Sequence, residues 1–184
     1  MPTATATDIV RIGAKLYAAN PGVIVADDYV PLFHGWIQRR GLDGTPIDVA
    51  DYTHVPDGPG VMLIGHEADR ALDFGEGRPG VLYQRKREGT GSLEERFAAA
   101  IAAVDRAAAD IEADPAAGGV RFDRDEILLR INDRLRAPAD DATLDALRPA
   151  IAAALGTVRH GRDAEIARVT DDPKGPLTIR VRLG

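Results

Sequence analysis

The chain has 184 residues, no cysteine and a formal net charge of −6 at pH 7. Without cysteine it can form neither disulfides nor thiolate zinc sites, and its acidic balance argues against nucleic acid or an anionic membrane as its main partner. The first residues lack the basic region and apolar run of a signal peptide, and no apolar run is long enough to span a bilayer. We therefore expect a cytoplasmic protein with no nucleic-acid partner and no membrane partner.

The first predicted elements are a strand and a helix. Residues 9–17 alternate apolar side chains with polar ones such as Lys15, and this period of two predicts a strand that is buried on one side. A helix is predicted to begin at Asp27 or Asp28, either of which can cap it, and to end over 41–44, where two glycines occur.

Residues 45–69 are predicted to form a β-hairpin. Two short apolar runs, 47–55 and 61–64, lie on either side of the sequence Pro-Asp-Gly-Pro-Gly. Short runs rich in β-branched residues and bounded by Pro, Asp and Gly favour two strands joined by a tight reversal.

Two further helices and five further strands are predicted after the hairpin. Ser92 with Glu95 three residues later is the signature of a capping box, which predicts a helix over 92–114. A third helix is predicted to begin at Asp140 or the next residue and to close at Gly156. The remaining alternating segments are predicted to be strands over 68–74, 79–85, 126–132, 164–169 and 177–183.

These elements predict an α+β protein, with a mostly antiparallel sheet and three helices, folded as a single domain over 1–184. Both ends follow the order strand, helix, strand, turn, strand, and the prolines of the two reversals are separated by the same 117 residues, 56 to 173 and 59 to 176. We interpret this as a tandem β-α-β-β pseudo-repeat, the alternative being that Pro-Gly turns recur in any α+β chain. The halves would cover 8–67 and 125–184, joined by a strand pair over 68–87 and the helix over 92–114.

This outline is similar to that of the vicinal-oxygen-chelate enzymes, which use paired β-α-β-β-β modules. That family draws its metal ligands from its strands. The predicted opening strands here, 9–17 and 126–132, contain no histidine and only Glu126 at one edge. We therefore carry over the topology and not the function.

Two of the four histidines lie in the predicted hairpin beside several carboxylates. The candidates for acid–base chemistry or a metal site are His54, His66, Asp48, Asp51 and Glu67. Pairing about the predicted turn would place His66 opposite Val49 or Ala50. The two histidines would then be about 13–16 Å apart at ~3.3 Å per residue, too far to share one ion. We therefore predict no metal and no cofactor, with the histidines serving hydrogen bonds at the turn and strand ends.

A basic, glycine-containing loop precedes the predicted capped helix. A strand, such a loop and a helix start can together present N–H groups to an anion. The residues of this candidate anion site are Arg85, Lys86, Gly89, Gly91 and Ser92. The alternative is a solvated loop, because the capping box already uses the helix terminus.

Few residues suit covalent catalysis. Ser92 is the only serine, and Lys15, Lys86 and Lys174 are the only lysines, none of them within an apolar stretch that would lower its pKa. Covalent hydrolase or transferase chemistry is therefore not expected.

Both faces of the predicted strand at 61–64 are apolar, so both must be covered. Helices can cover one face, and either the other half of the chain or a second copy would cover the other. We therefore expect a non-catalytic module of a bacterial-type cytoplasmic protein, which binds a small ligand or a protein or serves in assembly. We expect it to self-associate as a homo-oligomer and to have its site near 45–69. The alternative is a small acid–base or metal-assisted enzyme using His54 or His66 with Asp48, Asp51 or Glu67.

Overall fold

The structure, a computed structural model, describes residues 9–39, 44–56, 58–87, 89–169 and 174–184. Within these ranges the chain forms eight strands and three α-helices. The strands are β1 (Ile12–Ala18), β2 (Pro46–Tyr52), β3 (Gly60–Gly65), β4 (Ala68–Asp73), β5 (Gly80–Arg85), β6 (Phe122–Ile131), β7 (Ala164–Arg168) and β8 (Leu177–Leu183). The helices are α1 (Tyr29–Arg39), α2 (Leu93–Ala113) and α3 (Asp141–Val158).

All eight strands belong to one antiparallel sheet with the order β2-β3-β4-β5-β1-β6-β8-β7. The predicted α+β class, with an antiparallel sheet and three helices, is confirmed. The predicted helix end over 41–44 and the turns around 57 and 171–176 lie partly outside the described residues.

The helices pack on one face of the sheet, here called the helix face. Helix α1 packs on β2 and β3, α2 packs on β1 and β5, and α3 packs against α2 and β7. Buried side chains of all three helices join one core with inward residues of the strands, such as Leu16, Ile127 and Ile179. Strand β4 lies beneath the gap between α1 and α2, and this gap positions the candidate site.

The two long helices begin where their capping residues predict. The Ser92 hydroxyl accepts a hydrogen bond from the Glu95 N–H at 3.2 Å, and the Glu95 carboxylate accepts one from the Ser92 N–H at 2.7 Å. Asp140 caps α3 through the Thr143 N–H at 2.8 Å. The predicted closure at Gly156 was wrong, because α3 continues to Val158.

Strand β1 is buried on both faces, so the predicted half-buried strand was wrong. It lies in the interior of the sheet between β5 and β6, and six of its seven residues are buried. Lys15, which alternation placed toward water, is 0% exposed. The alternating segment does form a strand, but a strand in the centre of the sheet is also covered on its polar side.

The β2–β3 hairpin is confirmed, with a different register from the predicted one. Asp48 pairs with Ile64 and Val49 with Leu63, and the His66 N–H donates to the Thr45 carbonyl at 2.9 Å. His66 therefore lies beside Thr45 and not opposite Val49 or Ala50. The connection after β2 is longer than a two-residue reversal, and this shifts the pairing along the strand.

The structure does not confirm the pseudo-repeat. Strand β8, which ends the second predicted half, pairs directly with β6. The corresponding strand of the first half, β3, lies three places from β1, which pairs instead with β5. The strand pairs β2–β3 and β7–β8 therefore occupy different positions relative to β1 and β6.

In the part of the chain that is described, no helix is long and apolar enough to span a lipid bilayer.

Candidate functional site

A cleft of about 230 Å³ opens on the helix face, between the hairpin end of the sheet and α2. Its charged and aromatic lining consists of Glu67, Arg70, Tyr83, Arg85 and Arg106. We call it the arginine cleft. Its volume is below the about 300–1,000 Å³ of sites for drug-sized ligands, so it suits a small metabolite.

Antiparallel pairing of β4 with β5 builds the floor of the arginine cleft. Arg70 lies opposite Tyr83, and Ala68 lies opposite Arg85. Residues two apart on one strand share a face, so all four side chains belong to the helix face. Arg106 closes the cleft from α2, one turn after Ala103.

Small residues keep the cleft open. A side chain at Gly65 would meet the Ala68 carbonyl oxygen at 2.3 Å, so the backbones approach too closely there for any other residue. Gly44 has a φ of +88°, which favours glycine, and its missing Cβ would lie 3.1 Å from the Glu67 carboxylate. Ala68 and Ala103 fill little space, so the arginines border an opening between the strands and α2.

The arginines of the cleft make contacts within the protein. The Arg70 guanidinium lies 5.9 Å from the centre of the Tyr83 ring, and the Arg85 Nε–H donates to the Arg87 carbonyl at 3.1 Å. A guanidinium carries five N–H donors in a planar fork, so it can serve a structural contact and an anionic ligand together.

Among the described residues, Glu67 supplies the one carboxylate of the cleft lining. Its Oε2 accepts from the Thr45 N–H at 3.0 Å, and its Oε1 lies 3.2 Å from His66 Nδ1. The Thr45 N–H bond, followed by the His66 contact, holds the pKa of Glu67 below its usual range. The carboxylate is therefore ionised at neutral pH and fixed to the 44–45 segment.

Two of the five residues predicted to bind an anion, Arg85 and Gly89, lie side by side, since a Cβ at Gly89 would be 3.4 Å from Arg85 Nε. Arg85 lies in the arginine cleft, whereas the Lys86 ammonium pairs with Asp69 at 2.7 Å. Glu95 occupies the space beside Gly91 and accepts the Ser92 N–H. The capping box thus uses two N–H donors of this helix terminus, those of Ser92 and Glu95, and Gly89 also lies near the Arg96 side chain.

The histidine candidates lie at opposite ends of the β2–β3 hairpin. His66 is beside Thr45, so it is roughly nine residues from His54, on the order of 25–30 Å at ~3.3 Å per residue. At the far end, Asp51 accepts from the Thr53 hydroxyl at 2.7 Å and the Thr53 N–H at 2.9 Å, and these bonds lower the pKa of Asp51.

At the near end of the hairpin, His66 contacts Glu67, and the Asp48 carboxylate accepts its neighbour's N–H at 2.8 Å. Of the five candidates, the structure brings only His66 and Glu67 into contact. Among the described residues, no group of three or more His, Asp or Glu side chains is placed to hold a metal ion.

A second polar cluster lies on the face of the sheet opposite the helices. The Lys15 ammonium donates to Asp73 at 2.6 Å, to the Gly75 carbonyl at 2.7 Å and to Glu76 at 3.0 Å. Arg130 donates to the other oxygen of Glu76. We call this group the Lys15 cluster. The three acceptors match the three donors of the ammonium, so the cluster fastens the β4–β5 connection across the sheet.

Tyr17 borders the Lys15 cluster. The Arg78 guanidinium lies 3.7 Å from the centre of the Tyr17 ring, and Lys15 Nζ lies 5.1 Å from it. Burial, followed by the Glu76 carboxylate, raises the pKa of Tyr17. The ring is held as a neutral phenol between cations, which is a packing role in this fold.

Two residues of the arginine cleft, Arg70 and Arg106, were missed from the sequence. The sequence does contain a signal for Arg70, because it alternates in step with Ala68 and Leu72 and so lies on the same face of the strand as these core residues. An arginine in the inward phase of a strand indicates a covered site that needs charge. Arg106 is an exposed residue of α2, and no local pattern in the sequence indicated that it borders a cleft.

Compared with protein-family models, with curated proteins and with solved structures, this chain shows no significant match.

Proposed function

We propose that this protein is a small-ligand binding module that takes an anionic metabolite in the arginine cleft. The observation that carries the proposal is the convergence of Arg70, Arg85 and Arg106, from two strands and a helix, on one opening of about 230 Å³. The proposal keeps the expected location near the 45–69 hairpin, since Thr45 and Gly65 also line the cleft.

Charge supports an anionic ligand. The described residues of the lining bring three guanidinium groups together with one carboxylate, whereas the whole chain has a net charge of −6. A positive opening on an acidic protein concentrates small anions at that opening, and guanidinium forks match carboxylate and phosphate oxygens. Tyr83, 7% exposed, offers an aromatic surface at the base of the cleft.

The alternative function is a small acid–base or metal-assisted enzyme. It would use His54 or His66 with Asp48, Asp51 or Glu67. Of the five candidate residues only His66 and Glu67 are in contact, at 3.2 Å, and local hydrogen bonds engage Asp51 with Thr53. We therefore place binding in the arginine cleft ahead of catalysis.

Titration calorimetry with inorganic phosphate, ethyl phosphate and succinate tests the binding proposal. Replacing Arg106 with Gln removes one charged donor and should weaken the affinity roughly tenfold or more, because hydrogen bonds to charged groups contribute about 1.5–3 kcal/mol. Arg106 is exposed, so the fold should be retained. The matched control is Arg162→Gln. Arg162 is a half-exposed arginine that precedes β7, at the far edge of the sheet from the arginine cleft. Absence of saturable binding for every probe, or equal affinities for both variants, would contradict the proposal.

We further propose that the module self-associates through its edge strand β2, with a second copy as the partner. Strand β2 ends the sheet, and Ile47 and Tyr52 on it are 59% and 39% exposed. An unpaired edge can add an identical strand in antiparallel orientation about a twofold axis. Sedimentation velocity should show a dimer that Ile47→Asp dissociates, while Val23→Asp, a change at an exposed apolar residue outside the sheet, does not. A monomer at all concentrations would refute the self-association.

A further inference from the structure

The arginine cleft has walls of opposite charge. Glu67 is bound to the 44–45 segment through the Thr45 N–H at 3.0 Å, so its carboxylate stays on that side. Arg106 comes from α2, and Arg70 and Arg85 come from the strands of the floor. A ligand in the cleft therefore meets guanidinium groups and a carboxylate within a space of about 230 Å³.

The Glu67 carboxylate has capacity beyond its present bonds. Its Oε2 accepts one hydrogen bond from Thr45 and its Oε1 contacts His66 at 3.2 Å. A carboxylate offers about four lone-pair sites, so each oxygen can accept a further donor. The side chain of Glu67 is 43% exposed, so a ligand in the cleft can reach it.

A ligand with acidic groups only would bring negative charge toward Glu67. Like charges a few ångströms apart in a partly enclosed site repel each other, and this repulsion offsets part of the attraction to the arginines. A ligand that also carries an ammonium group satisfies both walls. We propose that the arginine cleft selects a small zwitterion, whose acidic group binds the arginines and whose ammonium group binds Glu67. This inference rests on the proposed function and specifies its ligand class.

Matched pairs of probes separate the zwitterion from a plain anion. Phosphoethanolamine and ethyl phosphate differ by the ammonium group, and so do glutamate and glutarate. Calorimetry at pH 7 should give the ammonium-bearing member of each pair an affinity about tenfold higher or more, the expected range for a hydrogen bond to a charged group.

Glu67→Gln is the variant that tests the role of the carboxylate. Its amide oxygen can still accept the Thr45 N–H, so the local fold is kept, which circular dichroism and thermal denaturation verify. The variant should lose the preference within each pair and should bind ethyl phosphate at least as tightly as the original protein. Glu165→Gln, at an exposed position on β7, is the control and should keep the preference.

The outcomes distinguish the two proposals. Equal affinities within each pair, or a preference that survives Glu67→Gln, would overturn the zwitterion while leaving anion binding intact. If no probe binds at all, the proposed function fails, and the ligand class inferred from it fails too.

Discussion

The ammonium of Lys15 lies 2.6 Å from the carboxylate of Asp73, and both side chains are almost completely buried, at 0% and 4% exposure. They come from β1 and β4, which are separated in the sheet by β5. Gly80 on β5 makes this contact possible, because a Cβ there would lie 2.9 Å from Lys15 Cε. The pair therefore connects strands across a position where the sheet carries no side chain.

Removing one member of this pair should destabilise the protein strongly. We expect Asp73→Ala to lower the free energy of unfolding by about 3–5 kcal/mol, because it leaves the Lys15 ammonium buried with less compensation. The double variant Lys15→Met, Asp73→Leu should recover much of that loss, since an apolar pair needs no compensation. Urea denaturation measures both changes.

An exposed ion pair is the control for this prediction. Asp125 pairs with Arg162 at 2.6 Å, but their side chains are 63% and 42% exposed. Asp125→Ala should therefore change the free energy of unfolding by only about 0–1 kcal/mol. A loss at Asp73 as small as the loss at Asp125 would show that the Lys15 cluster does not fasten the sheet.

The helix cap at Ser92 makes a prediction that separates stability from binding. Ser92→Ala removes the hydroxyl that accepts the Glu95 N–H and should cost about 0.5–2 kcal/mol in unfolding free energy. Because the cap is outside the arginine cleft, the affinity for ethyl phosphate should be unchanged. A tenfold loss of affinity in this variant would instead favour the loop 85–92 as the anion site.

The buried hydroxyl of Tyr29 predicts a stabilising substitution. It has no hydrogen-bond partner among the described residues, and Tyr29 is 1% exposed. Tyr29→Phe keeps the edge-to-face contact with Phe33, at 6.2 Å between ring centres. The variant should be more stable than the original protein by about 1 kcal/mol at pH 7, because it removes a buried unpaired polar group.

Tyr29 also predicts a dependence on alkaline pH. Burial, followed by the Asp28 carboxylate, raises the pKa of Tyr29 from 10.0 to about 12. The folded protein therefore holds the phenol proton more tightly than the unfolded chain does. As a result, the free energy of unfolding keeps its full value below pH 10 and falls as the pH rises toward 12. Between these values the original protein should lose more stability than Tyr29→Phe, by on the order of 2 kcal/mol. Parallel curves for the two proteins in urea titrations would refute this assignment.

Local signals in the sequence predicted most elements of the fold. Alternation and turn residues located the strands and the β2–β3 hairpin, and the Ser92 cap located α2, because these signals act over a few residues. The order of the strands depends on pairing between distant segments, which no local pattern records. The predicted exposure of Lys15 was wrong for this reason, whereas the predicted partner of His66 was wrong because the β2–β3 connection is longer than a two-residue reversal.

The candidate site was predicted in part. Glu67 and Arg85 were singled out from the sequence, one as a possible acid and the other as an anion ligand, and both line the arginine cleft. Their proximity follows from the pairing of Ala68 with Arg85, which is a tertiary fact. Arg106 joins them only because α2 packs on β1 and β5, next to β4 in the sheet, so its place in the cleft could not be predicted from its position on the helix.

The most direct test of the central claim observes the arginine side chains during ligand binding. In ¹⁵N-labelled protein titrated with ethyl phosphate, the Nε–H resonances of Arg70, Arg85 and Arg106 should shift together and give one dissociation constant. Assignment by single Arg→Lys variants identifies each resonance. Shifts confined to other arginines or to the amides of 89–92, with these three resonances unmoved, would contradict the account.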